Sequence, residues 1–544
     1  MTTDADSFPV VRAESAFPER VTADRLSRLA ASVPTEAASR GEGGSEAPDR
    51  GEIAIEAPFS GETIGTIPAC APEDVDAAVE RAREAQTAWA DRDPESRADL
   101  LLRFHDLVLD HREELLDFAQ LESGKARADA FEEVLDVAAT ARYYAHRADD
   151  YLAPERRKGV LPLLTRTTVH RRPVGVVGVI SPWNYPLTLA ISDAIPALLA
   201  GNSVVLKPAS ETPFTALLLR DLLREAGVPD AVFEVVTGRG SEVGSALIDA
   251  VDYVCFTGST ETGRTVASQA GENLVDCSLE LGGKNPMVVL DDADLESAVE
   301  GALRGCFTNA GQLCISFERL YVQRGIYDDF CDRLVRRTRG LDLRPGYDYE
   351  PDVGSLVSAD QLETVEAHVD DAVAKGADVL TGGRAPPDLG PYFYEPTVLA
   401  GVTEEMDAAC EETFGPVVRI EPFDDDAEVL ALANDSEYGL NASVWSEDAE
   451  RARHLARQID CGTVNVNDAY AASWASIDAP MGGMKDSGLG RRHGREGFDK
   501  YTESRTVAEQ RGPPLAPPSG VPKRWYATAM TLALRAMKRI PGLK

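Results

Sequence analysis

Between residues 174 and 258 the chain repeats one unit, a short β-branched run followed by a helical segment, and that repeat narrows the fold more than any other feature. The runs are VGVVGVISPW, NSVVLKPAS, VFEVVTG and DYVCFTGST, and the segments between them pass through Pro196, Ala226 and the vicinity of Ala246. Strand, crossover and strand at this spacing build right-handed βαβ units, hence a doubly wound parallel sheet. Ligands of such sheets bind beyond the carboxyl ends of the strands. Those ends carry Trp183-Asn184, Lys207 and Gly258-Ser259. Residues 70 to 150 come first, with apolar positions three and four apart, the pattern of amphipathic helices that cover a sheet. A second α/β region runs from about 286 to 477, and the glycine-rich loop SIDAPMGGMKDSGLGRRHG leads to a last strand-like segment, KYTESRTVAEQ. At 544 residues the chain exceeds what one core supports, so two or more domains are expected.

Both ends differ from this body. Residues 1 to 50 are polar and run into RGEGGSEAPDRGE, which reads as a flexible N-terminal extension. Residues 511 to 544 hold seven basic and no acidic side chains. There Tyr526, Met530, Ala533, Met537 and Ile540 recur at helical spacing, with Thr528, Thr531, Arg535, Lys538 and Arg539 opposite, which predicts a basic amphipathic helix. Its apolar stretch, Trp525 to Leu534, is too short to span a bilayer. Such a helix either lies on an anionic membrane surface or docks on the acidic body of its own oligomer. Docking is the preferred expectation, because that partner is always present at high effective concentration.

Charge sets the outer limits on function. The chain has 91 acidic against 55 basic side chains, a formal −36, which excludes nucleic acid or an anionic membrane as the partner of the main body. Only 10 of the basic residues are lysine. An acidic, arginine-rich surface is expected of a protein kept soluble at high salt, although an ordinary acidic chain from a GC-rich genome would look the same. Eight scattered cysteines form no CxxC pair, and no histidine cluster has metal spacing, so neither a disulfide framework nor a metal site is expected. MTTDADSFPV lacks the basic and apolar regions of a signal peptide, which reads as cytoplasmic.

Five short segments could carry chemistry, and each has a plain structural reading beside the functional one. FTGSTETG, residues 256 to 263, puts Gly258 and Gly263 where a strand becomes a helix, so backbone amides and the helix dipole could face a phosphate; an ordinary strand-to-helix turn has the same look. Lys207 ends a strand where it could donate to ribose hydroxyls or simply be solvated. Cys314, in FTNAGQLCIS, has small and polar neighbours that suit a reactive thiol, though most lone cysteines are small buried hydrophobes. Glu280, in SLELGGK, is a lone carboxylate in a strand with two glycines behind it, either a general base of raised pKa or a strand-end acid in water. Asn184, in SPWNYP, lies between prolines and could donate to an oxyanion or just form a turn.

Taken together and in this order, SPWNYPL, LKPAS, FTGSTETG, LELGGKNP, NAGQLC, EETFGPV, NDSEYGLNASVW and PMGGMKDSGLGRRHG closely resemble the aldehyde dehydrogenase superfamily, from about residue 51 to 510. The resemblance implies an α/β fold with two doubly wound parallel-sheet domains plus a β-hairpin oligomerisation arm. Its implied dinucleotide-binding domain covers 51–157 and 173–285, its catalytic domain 286–477, and its arm 158–172 with 478–510. The arm would pair with the strand near 501 to 510 of a neighbouring subunit, making a homodimer or homotetramer.

The resemblance also implies roles. The Cys314 thiolate would attack an aldehyde carbon, with the Asn184 side chain and the Cys314 backbone N–H holding the oxyanion and Glu280 activating a water against the thioester. NADP or NAD would lie across Trp183, Lys207, Ser210, Gly258, Ser259, Gly263 and Leu281, with Glu412 on the nicotinamide-side ribose and Phe414 against it. Serine at 210, rather than an acid, leaves room for a 2′-phosphate and favours NADP. Some branches keep a further relay acid where this chain has Arg491-Arg492, so no second relay residue is assigned.

Among branches, NAGQLCISFERLYV, GPYFYEPTVL and SGLGRRHG look most like succinate-semialdehyde dehydrogenases of a second, actinobacterial-type group. The carboxylate-binding arginines of better-known members align with Ser192 and Thr308, neither of which pairs with a carboxylate as a guanidinium does. A broad-specificity enzyme for fatty or aromatic aldehydes fits that gap. An acylating relative that uses coenzyme A is disfavoured by Glu280, and a non-catalytic scaffold of the same fold by the joint presence of Cys314, Glu280 and Asn184.

Overall fold

The computed structural model describes residues 17–35, 51–159, 165–511 and 516–539. Five strands of the first sheet run parallel in the order Asp276–Glu280, Tyr253–Thr257, Val176–Ile180, Ser203–Lys207, Phe233–Val235, and the short strand Gly488–Leu489 adds antiparallel to Asp276–Glu280. The central strands Val176–Ile180 and Ser203–Lys207 are buried along their whole length, as expected of a sheet covered on both faces. The segment through Pro196 is two short helices, Thr188–Ile191 and Ala194–Leu199, rather than one. Helices Pro72–Ala90, Pro94–Asp110 and Arg127–Leu152 contribute Ala78, Leu101, Phe104 and Val134, all solvent-free, to the core around this sheet.

A seven-stranded sheet follows in the order Asp378–Thr381, Thr397–Ala400, Val417–Phe423, Phe317–Gln323, Asn285–Val289, Asn441–Trp445, Thr463–Val466, parallel except for its first strand. It has its own cores on its two faces. Strand Asp276–Glu280 ends the first sheet and Asn285–Val289 begins the centre of the second, so four residues, Leu281 to Lys284, join the two. That join decides where the site lies.

The third sheet is antiparallel, in the order Thr502–Gln510, Thr165–Pro173, Glu155–Lys158. Here the expectation of pairing with a neighbouring subunit is corrected. Thr165–Pro173 pairs with Thr502–Gln510 of its own chain over nine residues, Thr502 opposite Pro173 and Gln510 opposite Thr165. Tyr501 is fully buried beside the base of the arm, donates its hydroxyl to Asp193, and accepts the Val174 N–H at 3.3 Å, which continues the same ladder by one residue. The tip of the arm, 160–164, lies outside the described residues.

The N-terminal region also needs correction, because not all of residues 1 to 50 is free of structure. Helix Ala23–Ala31 is capped by Thr22 and buries Leu26 and Leu29, with Val33 following, while Arg25 pairs with Glu114 at 2.9 Å. Apolar residues at 26, 29 and 33 share one face, a signal hidden in a polar stretch. The glycine-rich run 40–50 lies outside the described residues. At the other end, helix Lys523–Met537 forms as expected, yet buries none of its residues against its own chain, and Trp525 is 69% exposed. Ile540 lies outside the described residues. Among the described residues no helix is long and apolar enough to cross a membrane.

Candidate active site

Two cavities meet at Cys314. One is lined by Trp183, Asn184, Gly258, Ser259, Glu280, Leu281, Gly282, Glu412 and Phe414, and the other by Asn184, Tyr185, Leu189, Tyr470, Trp474, Met481 and Arg492; Asn184 and Cys314 belong to both walls. Through Pro182, Thr257, Gly258 and Ser259 the first cavity continues into a wider crevice over Lys207, Ser210, Glu211 and the start of helix Thr260–Glu272. The thiol therefore separates a crevice over the strand ends from a second cavity behind it.

A run of left-handed backbone delivers Cys314 to this place. Asn309 and Ala310 both have φ of 52° and Gly311 has 71°, and a Cβ on Gly311 would lie 2.0 Å from the Gly415 carbonyl oxygen. Such conformations cost free energy and persist only where the surroundings over-determine them. Here they do. The Asn309 N–H donates to Asp129 at 2.8 Å, and the Gln312 amide donates to the Asn309 carbonyl at 3.0 Å and accepts from Val357 N–H at 2.9 Å. Asn285 closes the turn by donating to the carbonyls of Cys314 and Ser316. Burial, with the Glu412 and Glu280 carboxylates adding to it, pushes the Cys314 thiol up to about 12, so a base must take its proton before or as the sulfur reacts.

Asn184 is 3% exposed. Its side-chain nitrogen donates to the Gln312 carbonyl at 3.0 Å, which spends one of two amide hydrogens and leaves the other for the cavity. Its own carbonyl accepts from Lys125 at 2.6 Å and from the Asn309 side chain at 3.0 Å. Lys125 is fully buried against Glu133, whose other oxygen accepts the N–H groups of Leu187 and Thr188. Sequence reasoning missed Lys125, in the short link before helix Arg127–Leu152, and Glu133 on that helix, because the run KARADAFEE carries five charges and nothing in it marks these two.

Glu280, at the end of its strand, is 8% exposed, and burial raises its carboxyl to about 7 while Arg492 and Lys500 oppose the rise. Glu412 stands on the other side of the same cavity and accepts the Gly283 N–H at 2.8 Å. A Cβ at Gly282 would meet its oxygen at 2.2 Å, so the glycines after Glu280 are what let this carboxylate approach. Burial, then the nearby Glu318, raises Glu412 to about 8. Phe414 has φ of 51°, donates its N–H to Glu318 at 3.0 Å and meets Trp183 edge to face at 5.5 Å.

In the wider crevice Lys207 is 5% exposed, and burial lowers its pKa against the pull of Glu211. The Ser210 hydroxyl donates to the Gly238 carbonyl at 3.2 Å, and Glu211 beside it is exposed. Ser259 caps helix Thr260–Glu272 by accepting the Thr262 N–H, leaving the remaining first-turn amides facing the crevice. Leu281 lines the inner cavity, while Gly263 reaches neither wall: it is buried under Leu281, whose side chain a Cβ there would overlap at 2.3 Å. Gly263 thus serves close packing of helix on strand.

Ser192 and Thr308, where arginines were expected, are otherwise engaged. The Ser192 hydroxyl donates to Asp136 at 2.6 Å, and the Thr308 hydroxyl lies 3.3 Å from that of Tyr470. The site gains a guanidinium that sequence reasoning left without a role, Arg492, 7% exposed on the wall of the second cavity. Among the described residues no group of acidic, histidine and cysteine side chains could hold a metal ion.

Known proteins share this arrangement. Over 477 residues, 88% of this chain and 92% of the other, the sequence is 54% identical to a Mycolicibacterium smegmatis protein provisionally named succinate-semialdehyde dehydrogenase [NADP(+)]. It is 39% identical over 444 residues, 81% of this chain and 91% of the other, to a Pseudomonas aeruginosa glutarate-semialdehyde dehydrogenase. A crystal structure of Staphylococcus aureus betaine aldehyde dehydrogenase in complex with NAD+ superposes with a TM-score of 0.82 at 36% identity, covering 88% of this chain and 95% of that one. The aldehyde dehydrogenase family model matches residues 46–507, and with the cavity geometry and the relatives alike the chain belongs to that family.

Proposed function

We propose that this aldehyde dehydrogenase oxidises succinate semialdehyde to succinate with NADP+ or NAD+, through a thioester on Cys314. What supports the reading above all is the position of Cys314 and Asn184 in the shared wall of two cavities, with Glu280 on the first. The names of the Mycolicibacterium and Pseudomonas relatives, both semialdehyde dehydrogenases, support the substrate class. The crevice suits a dinucleotide: a helix N-terminus opens on it, a buried ammonium stands at its floor, and Gly258, Ser259, Gly240 and Ser241 line it with little side-chain bulk. Lys207 and Ser210 would hold the adenosine ribose, Glu412 the other ribose, and Phe414 with Trp183 the ring end. When bound there, the dinucleotide supplies the two-electron acceptor that turns a thiohemiacetal on Cys314 into the thioester.

The chain's own groups do the rest. Because the free thiol is a weak acid, Glu280 takes its proton as sulfur bonds to the aldehyde carbon, and the carbonyl pair moves onto oxygen. That oxyanion accepts from the spare Asn184 amide hydrogen and the Cys314 N–H. Glu280 releases that proton to solvent and, after oxidation, takes one from water; the hydroxide equivalent adds to the thioester carbon, the C–S bond breaks with its electron pair going to sulfur, the Glu280 proton returns to that thiolate, and the acid leaves as carboxylate, its own proton going to solvent. Initial rates with a panel of aldehydes, each with NAD+ and NADP+ in high salt, test the reading. Succinate semialdehyde is expected to give the highest kcat/KM, and a fatty or aromatic aldehyde ahead of it would overturn the substrate. Tyr185, Tyr470 and Trp474 on the second cavity favour that broad-specificity alternative.

We also propose a homodimer or homotetramer working in a salty cytoplasm. Strand Thr502–Gln510 is a sheet edge with eight of its nine residues exposed, and an unpaired edge of that length is a template for another chain.

A further inference from the structure

We infer that Arg492 is the side chain that receives the distal carboxylate of the substrate. This rests on the semialdehyde reading above and adds to it the residue that would select such substrates. A carboxylate entering a dry cavity is costly unless a cation meets it there. Among the residues that line the second cavity, Arg492 is the cation, and it shares that cavity with Cys314. Succinate semialdehyde has only two methylenes between its ends, so both ends must be held close to the thiol.

The guanidinium is unusually short of partners for a buried one. Of its five N–H donors, Nε–H has no acceptor among the described residues, and its ion pair there is with Asp193 at 3.3 Å. Asp193 is shared. Its other oxygen accepts from Lys500 at 3.1 Å and Tyr501 at 3.3 Å. Burial works against ionisation of Asp193, yet Lys500 and Arg492 together hold it well below the usual carboxylate range. Of the other acids nearby, Asp136 and Glu280 are both pushed by burial toward the neutral form, and Glu132, on the same cavity wall, is paired with Arg304 at 2.8 Å. Two cations thus share the Asp193 carboxylate, and the Arg492 guanidinium on the cavity wall keeps donors that no carboxylate of the described residues takes up.

The other cations are already committed. Arg304 is half exposed, pairs with Glu132 at 2.8 Å and stacks 5.2 Å from the Tyr470 ring centre, outside the cavity wall. Lys125 is bound to Glu133 and the Asn184 carbonyl. A planar fork with spare donors is the group that takes a carboxylate through two parallel hydrogen bonds.

The test compares kcat/KM for succinate semialdehyde and for butanal, the same chain without the carboxylate, in the full-length enzyme and in Arg492→Met and Arg492→Lys. Any effect of Arg492 on Cys314 or Glu280 is common to both aldehydes and cancels in the ratio. The ratio is expected to fall about 100-fold in Arg492→Met, carried by KM, and to recover in part in Arg492→Lys, which restores charge without the fork. Retained NADP+ binding shows that a variant is folded. If Arg492→Met fails that check, Arg492→Lys alone decides, with a ratio at least about tenfold below wild type expected. An unchanged ratio in the folded variants, in an enzyme that prefers the semialdehyde, overturns the inference and leaves the substrate reading intact. A wild-type enzyme with no preference for the semialdehyde overturns both.

Discussion

The crevice that the first cavity opens into and the second cavity behind Cys314 are built in opposite ways. The crevice over the strand ends is made of consecutive pieces of chain: strand Tyr253–Thr257 runs straight into Gly258, Ser259 and helix Thr260–Glu272, and Lys207 ends the strand two places away in the sheet. Glycines and serines, Gly240, Ser241, Gly244, Gly258 and Ser259, make much of its wall, beside larger side chains such as Phe256 and Gln269. The second cavity gathers Glu132, Asn184, Tyr185, Leu313, Tyr470, Trp474 and Arg492 from five distant stretches, and its frame is a set of buried ionic groups. A site made by backbone is written in local spacing. A site made by side chains from remote segments is written nowhere in particular, so substrate recognition resists reading where cofactor recognition does not.

The largest expected effect falls on the wall between them. Cys314→Ala should lower oxidation by more than about 10⁴-fold, since nucleophile removal elsewhere costs that much, while NADP+ affinity stays within about twofold. Steady-state rates and a dinucleotide titration check it, and loss of both together would mean that the two cavities are not independent. Glu280→Gln should differ in kind, being slow in both addition and thioester hydrolysis. A rapid mix should show reduced dinucleotide rising to about one equivalent per site and then stalling. With Glu280 as the proposed base and its carboxyl raised to about 7, the wild-type rate should rise with pH through that value, as the ionised fraction rises, and the mutant should lack this limb.

The comparison sharpens when stability is measured on each side. Lys125→Met leaves Glu133 buried and unpaired beneath Asn184, and should cost roughly 3–5 kcal/mol in denaturant unfolding at high salt, with activity falling as the Asn184 loop loosens. Ser210→Glu in the open crevice should change stability by less than about 0.5 kcal/mol. It should instead shift kcat/KM from NADP+ toward NAD+ by on the order of tenfold, through repulsion of a 2′-phosphate. An unchanged cofactor ratio would show that the Ser210 hydroxyl, turned to the Gly238 carbonyl, does not face the ribose.

How much was legible follows the same division. Alternation of β-branched and helical runs predicted the first sheet, and Cys314, Glu280 and Asn184 stood out through their flanking glycines and prolines and through resemblance. Gly263 was read as phosphate-facing because spacing alone cannot tell a glycine that admits a ligand from one that admits a neighbouring leucine. Small and polar neighbours single out Cys314 as a candidate nucleophile, while its acidity is set by burial and by two carboxylates more than 30 residues away in sequence, which no local spacing can show. Arg492 was noted only as the place where an acid was missing. The N-terminal helix was lost in a polar stretch because three apolar residues are enough to seat nine.

The smallest effect is expected at the tail, which stands outside both cavities. Helix Lys523–Met537 puts Trp525, Leu532, Ala533 and Met537 on one arc and Arg524, Thr531, Arg535 and Lys538 on the other, and buries none of them against its own subunit. An apolar arc that size is not left to water at working concentration, and the remainder of the chain is strongly acidic, so a second subunit of the oligomer is the partner proposed for it. Deleting residues 515 to 544 should therefore leave kcat/KM and the soluble fraction unchanged. What should move is the oligomeric state seen by light scattering, or a melting temperature that becomes more dependent on protein concentration. Basic side chains on the polar arc would serve an anionic bilayer equally well in dilute buffer, but salt that shortens the screening length to a few ångströms removes most of that attraction while an apolar contact survives it. Sedimentation with anionic vesicles at high salt separates the two: co-sedimentation of the intact enzyme but not of the truncated one would place the helix on a membrane and overturn the oligomer contact.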